Sequence, residues 1–519
     1  MGNARVYARN VFANWFGYAA NLAVMFFLTP FVITTLGDKV YGVWTLLVLL
    51  TGYMGLVELG VRNGMGRFVN YYLGKKEPDK VNGIISTAMV IFLGCGVLLL
   101  IAALTLGHFF GQLFPKTPPE MLGSARLAIL LIAANLFISF YCAAFLQVLA
   151  AHERFEISNG INLGVLLLRA TATVVLLRYE GMDDGGRVLM LAWITLGAGV
   201  IQLVAQAGAA WRIFPALRIS PKLASRACFR ELYAFSIWAA VSSVALQVLY
   251  WFDTLIIGVV LGPAMVTLYS IGGMFVIYGR GLVTECSTPF APQIIKDCAT
   301  RNFANIRQLA ARATAMVMGL SVLLFLGFVF FGEEFIRLWM MDSKKGDEYA
   351  TFTKYQDSYK VMAVLALAQL ASTSTIVLGH VFSGLNRVRL SAMLMVAQAV
   401  VNVALTLTLL LVGLGLVGVA AGSAIPRALF AILSTVIVLN WIGSGFKEFA
   451  KSYLAWWAAL AAAFGAACWV VVTWMPHGTW LWFAAKIAVA VAVYAPLVWF
   501  FLLTPDERAM IKAKLPGRR

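Results

Sequence analysis

Residues 82–106 read NGIISTAMVIFLGCGVLLLIAALTL, a run without one charged side chain. At a rise of about 1.5 Å per residue, such a run wound as a helix spans the ~30 Å hydrocarbon core of a bilayer. Its apolar residues follow one another continuously, without the period-two alternation of a barrel strand, so only a helix satisfies its backbone in lipid. The same reading applies to 9–34, 40–61, 125–150, 157–178, 187–210, 231–260, 264–288, 309–332, 360–383, 389–412, 415–439, 452–474 and 480–503. The expected fold is all-α and integral to the membrane, with about fourteen spans.

Composition agrees. The 519 residues are 61% hydrophobic and 12% charged, with a mean hydropathy of +0.85. A soluble chain carries roughly 25% charged residues because its surface must be hydrated, a demand lipid does not make. The net charge of +17 would suggest nucleic acid in a soluble protein. Here topology sorts the charge. Of 40 Lys and Arg, about 26 fall in or beside the tail before Arg9 and the connections 62–81, 151–156, 211–230, 290–308, 384–389, 442–451 and 504–519. The positive-inside rule makes these segments cytoplasmic, puts both termini in the cytoplasm and removes the need for nucleic acid. Segment 62–81, mixed basic and aromatic, is expected along the headgroups in contact with membrane lipid. The largest outside loop, about 333–359, is too short for an extramembrane domain. Arg5 and Arg9 precede a long apolar run without a small-residue cleavage site, so the first span is expected to be retained. The six cysteines and four histidines form no paired CxxC and no HExxH, and no cysteine falls in an expected outside loop. Neither a zinc site nor a disulfide framework is indicated.

An internal repeat organises the spans. Laying 153–177 over 386–410 pairs Arg154 with Arg387, Ser158 with Ser391, Thr173 with Thr406 and Leu176–Leu177 with Leu409–Leu410. Leu36–Gly37, closing the first span, likewise matches Leu261–Gly262, closing the seventh. Six spans per copy keep both copies in one orientation, giving a parallel repeat of the kind transporters use, with a site between halves. The expected division is an N-lobe over 1–215 (spans 1–6), a C-lobe over 216–445 (spans 7–12), and spans 13 and 14 with a basic tail over 446–519.

The stretch Leu36-Gly37-Asp38-Lys39-Val40-Tyr41-Gly42-Val43-Trp44, followed by Gly52-Tyr53 and Leu56-Val57-Glu58-Leu59-Gly60, resembles the opening of the polysaccharide transporter family. These are Wzx-like flippases of the multidrug/oligosaccharidyl-lipid/polysaccharide (MOP) superfamily. Asp253-Thr254-Leu255-Ile256-Ile257-Gly258, Leu338-Trp339, Gly384-Leu385-Asn386-Arg387 and Gly413-Leu414-Gly415-Leu416-Val417-Gly418 extend the resemblance through the second half. Glu58 stands where the family more often has Asp. The resemblance implies two six-helix lobes around a cavity with alternating access. It implies transport of a polyprenyl-pyrophosphate-linked glycan from the inner to the outer leaflet of a bacterial plasma membrane, in exopolysaccharide or O-antigen synthesis. A polysaccharide polymerase and a chain-length regulator would then be its protein partners, and no enzyme activity or cofactor is implied.

Charge inside the spans marks the candidate site. A bare charge at the bilayer centre costs roughly 2.5–3.5 kcal/mol on insertion scales. Arg169 and Arg427 lie roughly 18 Å into their helices, near mid-membrane, and Arg280 lies nearer the cytoplasmic side of span eight. A pyrophosphate leaving water needs cations, and guanidinium offers bidentate donors. Arg280 is placed first, because the eighth span lines the cavity in related flippases, then Arg169 and Arg427. Each could instead brace the bundle through a carboxylate or carbonyl. Lys486, nearer the outer side of span fourteen, could snorkel to the interface. Asn21 and Asn402 could bond sugar hydroxyls or tie helices together, and Trp44 could stack on a sugar ring or anchor at the interface. Asp253 and Glu58 are candidates for a coupling proton or sodium ion; Glu58 with Arg62 at i, i+4 spacing also fits an ion pair.

Two other activities use similar substrates or folds. A multidrug/cation antiporter of the same superfamily favours acidic cavities, whereas the deep charges here are mostly basic. A membrane polysaccharide polymerase or ligase typically carries a large outside loop, longer than any here. No Walker A sequence is present for ATP hydrolysis within the chain.

Overall fold

A computed structural model gives residues 2–58, 61–152, 154–179, 181–341, 348–445, 454–502 and 508, and for 2–15, 63, 233–240, 292, 299 and 348–352 the backbone alone. Leu59–Gly60 of the family-like motif, residues 446–453 and most of the basic tail lie outside the described residues.

The first set of helices is α1 (Gly2–Leu36), α2 (Asp38–Met54), α3 (Val61–Gly74), α4 (Pro78–Leu113), α5 (Leu122–Ala151), α6 (Phe155–Leu177) and α7 (Asp184–Ile213). The second is α8 (Arg226–Val260), α9 (Pro263–Ser287), α10 (Ala291–Ala299), α11 (Phe303–Met340), α12 (Glu348–Ser372), α13 (Ser374–Gly384), α14 (Val388–Leu411) and α15 (Gly415–Trp441), followed by α16 (Ala455–Trp474) and α17 (Trp480–Phe501). Local chemistry sets their starts. Pro78 and Pro263 sit in the first helical turn, where a missing N–H is harmless. Ser225, Asp183 and Asn302 side chains accept from backbone N–H groups three residues on, at 3.1, 3.1 and 3.3 Å.

Among the described residues, thirteen helices are long and apolar enough to cross a membrane, and the bent pair α12–α13, taken as one span, brings the number to 14. The chain is a multi-pass membrane protein. The repeat is visible in the backbone: each set runs span, span, short helix, then four spans. Gly37 at φ +76° and Gly262 at φ +98° turn the chain within a single residue, a conformation that favours glycine. Arg154 and Arg387 each cap the start of the corresponding helix. Packing repeats as well: α4 on α5 as α11 on α12, α5 on α7 as α12 on α15, α6 on α7 as α14 on α15.

Segment 62–81 is chiefly α3, whose Val61, Met65, Val69 and Tyr72 are buried at helical spacing against α4, α5 and α8. Its other side carries exposed Arg67, Tyr71 and Lys75.

Two expectations change. The outside loop at 333–359 is largely helical, since α11 continues to Met340 and α12 begins at Glu348; the charged residues there did not stop the helix because glutamate and lysine are good helix formers. The tenth span bends by 42° at Thr373, where the Ser372, Thr373 and Thr375 hydroxyls bond back to carbonyls of their own helix, a pattern that bends helices. By packing, the chain forms two units, Met1–Thr267 and Leu268–Arg519, with α8 resting on α2, α3 and α4. The repeat boundary and the packing boundary are therefore one span apart.

Lys486 does not snorkel. It is fully buried on α17, 2.5 Å from Glu334 of α11, while His477 and the Gly478 N–H reach the same carboxylate at 3.2 Å. Around this pair, Val322, Leu326 and Phe331 of α11 close on Trp457, Phe464 and Cys468 of α16 and on Tyr494 of α17. Spans 13 and 14 pack on α11 within the second unit.

Candidate functional site

In the first unit, α1, α2, α5, α6 and α7 enclose a cavity of about 470 Å³. Arg169 lines it from the middle of α6, a helix whose neighbouring residues are Leu166, Leu167, Leu168 and Ala170. Among the described residues, no side chain pairs with its guanidinium. No acidic side chain among the described residues lines the cavity.

The remaining lining supplies acceptors and flat apolar surface. Thr51, Ser139, Thr173 and Thr195 donate to carbonyls of their own helices at 2.7, 2.7, 2.8 and 2.8 Å. Their protons are thus committed, and their oxygens can accept from a ligand. Asn135 adds an amide, and Tyr41 and Trp44 contribute aromatic rings from α2. Such a set suits an anion joined to a hydroxyl-rich group. It does not suit a cation.

In the second unit, Arg280 of α9 and Arg427 of α15 are near enough for each charge to act on the other, though neither side chain is isolated within the fold. Arg427 follows Pro426, which is buried within α15 and removes one N–H from the helical ladder.

The other candidates divide. Asn21 is exposed on α1, one turn before the lining residue Met25, and so on the cavity side of that helix. Asn402 lies elsewhere: it is buried and donates to Ser423 Oγ at 2.5 Å, tying α14 to α15. Glu58 is held by Arg62 at 3.3 Å. Asp253 is buried on α8, close to Tyr53 of α2. Sequence reasoning passed over Thr29, Thr51, Asn135 and Thr195. Asn135 is an amide in the middle of an apolar run, and that signal was available. The threonines gave none, since threonine is common in membrane helices and bonds its own backbone.

Residues 19–175 match the MatE family model. Over 97% of its length the chain is 22% identical to the uncharacterized membrane protein EpsK of Bacillus subtilis, covering 96% of that protein. It is 23% identical over 57% of its length to a probable low-salt glycan biosynthesis flippase, Agl15 of Haloferax volcanii, covering 60% of it. Its fold is that of the lipid II flippase MurJ in an inward closed conformation, with a TM-score of 0.71, 14% identity, and coverage of 95% of this chain and 98% of the other. The MOP-superfamily resemblance read from the sequence is met in both sequence and fold.

Proposed function

We propose that the chain flips a polyprenyl-pyrophosphate-linked glycan from the inner to the outer leaflet of a bacterial plasma membrane. The observation that carries this reading is Arg169, a guanidinium without a protein partner among the described residues, set in a cavity lined by hydroxyls and aromatic rings. A phosphate-bearing headgroup supplies the charge that the protein withholds, while the polyprenyl chain stays in lipid. Arg280 and Arg427 of the second unit provide a second cationic locus. The likeness to Agl15 and MurJ, both named as flippases, supports the reading. Asp253 is the proposed coupling residue for a proton or sodium ion, because the Glu58 carboxylate is already engaged by Arg62. The termini are cytoplasmic in this scheme, by the distribution of Lys and Arg.

The test is flipping in proteoliposomes of the lipid-linked glycan that accumulates in cells lacking the chain. A charge-assisted hydrogen bond contributes about 1.5–3 kcal/mol, so Arg169→Ala is expected to slow flipping by roughly 10- to 150-fold. Arg169→Lys keeps the charge without the bidentate fork and is expected to fall between. Wild-type flipping by Arg169→Ala would overturn the assignment, and efflux of a cationic dye by the same vesicles would point to the antiporter instead.

A further inference from the structure

The face of α6 that carries Arg169 continues toward the start of the helix. On α6, Asn162 stands at i−7 from Arg169, two turns away on the same side, roughly 10 Å nearer the start of the helix. On α7, Gln202 and Gln206 stand at i+7 and i+11 from the lining residue Thr195, again on its side. Asn21 occupies the matching place on α1.

These amides are joined. Gln202 Nε2 donates to Asn162 Oδ1 at 3.1 Å, and Gln206 Nε2 donates to the same oxygen at 3.2 Å. Gln206 is only 1% exposed, yet its Oε1 is buried without a partner. An interhelical brace would be complete with one amide–amide bond; here two glutamines share one acceptor and leave a buried carbonyl unmet, which costs about 1–3 kcal/mol. Asn162 itself is exposed, and its amide nitrogen has no partner among the described residues. One face thus offers an amide donor beside a buried carbonyl acceptor, without charge. That is the chemistry that recognises vicinal hydroxyls.

We propose that Asn162, Gln202 and Gln206, with Asn21 opposite on α1, form a carbohydrate subsite continuous with the Arg169 cavity. It takes the sugar attached to the phosphate that Arg169 holds. This rests on the glycan-flippase reading and names which part of the headgroup each end of the cavity binds.

Two probes separate the claims: the lipid-linked glycan purified from cells lacking the chain, and polyprenyl pyrophosphate bearing no sugar. Binding of each to the full-length protein in detergent is measured by thermophoresis. Asn162→Ala/Gln206→Leu is expected to weaken the glycan-bearing probe five- to tenfold and leave the sugar-free probe unchanged. Arg169→Ala is expected to weaken both. Equal loss for both probes in the amide variant, with its thermal midpoint lowered, would show a brace and overturn the subsite. No loss for either probe would overturn it as well. If Arg169→Ala affects neither probe while the amide variant discriminates between them, the phosphate assignment fails and the sugar subsite stands. Asn162→Gln, which keeps an amide donor and acceptor at an exposed position, checks that a poorly folded variant is not misread; it is expected to retain at least half the wild-type affinity for the glycan-bearing probe.

Discussion

Replacing Lys486 with methionine removes the cation from a carboxylate enclosed by α11, α17 and the connection before α17. The Glu334 side chain is 7% exposed and Lys486 is 0% exposed, so water cannot replace the ammonium. Breaking a buried pair from one side typically costs about 3–5 kcal/mol. A second limit comes from protonation. Glu334 in the variant can take up a proton, and at pH 7 neutralising a carboxyl of ordinary pKa near 4.3 costs about 3.7 kcal/mol. The two estimates agree at about 4 kcal/mol. The second also predicts its pH dependence: at pH 5 the same step costs only about 1 kcal/mol. Lys486→Met should therefore lower the thermal midpoint strongly at pH 7 and weakly at pH 5, followed by tryptophan fluorescence in detergent. Glu334→Gln/Lys486→Met should recover most of the loss at both pH values, because no charge is then stranded. A single variant as stable as wild type at pH 7, or a double variant no better than the single, would refute the claim that this pair pins spans 13 and 14.

Two further outcomes follow from close contacts. A methyl group at Gly42 would run into the Pro263 carbonyl, where α2 meets the start of α9 and Thr267 donates to the Asp38 carbonyl at 2.7 Å. Backbone cannot yield there, so Gly42→Ala should cost about 1–3 kcal/mol and Gly42→Val more, read as a lowered thermal midpoint. Tyr72 on α3 donates to Glu231 at 3.0 Å, and burial first, then that carboxylate, hold its hydroxyl protonated above the usual tyrosine range. The contribution is present below the unfolded tyrosine pKa and lost as pH rises through the higher folded value, so wild type should lose stability at alkaline pH and Tyr72→Phe should lack that component of the profile.

Most of the fold was legible because lipid imposes one simple rule, and each of the fourteen apolar runs became a helix or, at Thr373, a bent pair. The repeat was legible at Gly37 and Gly262, where a backbone requirement fixes the residue, and at Arg154 and Arg387, where a helix begins. Helix packing was not. Nothing along the chain says that α8 rests on α2, α3 and α4, because an all-apolar helix carries little record of its neighbours. The site was legible one residue at a time. A deep arginine announces itself through its cost, and Arg169 was found that way; its surroundings were not, since Thr51, Thr195 and Asn135 come from three different helices. Lys486 shows the limit of the cost argument, for its partner Glu334 sat in a stretch read as the edge of a loop.

The four basic residues deep in the spans show how a transporter distributes charge. Lys486 is met by Glu334 inside the protein, and such a pair holds helices together because neither member can leave. Arg169 has no such carboxylate among the described residues, although the chain has 23 acidic residues from which one might have been placed beside it. A fixed carboxylate there would compete with any anionic ligand, and the ligand would have to break a buried pair before binding. Leaving the guanidinium open to a cavity keeps that competition out, and water in the cavity limits its cost between ligands. A site that must bind and then release needs a charge satisfied only in turn, by headgroup and by water. On the proposed reading, the difference between Lys486 and Arg169 is the difference between a charge that builds the molecule and one that works on a ligand, and it lies in whether a partner is built in.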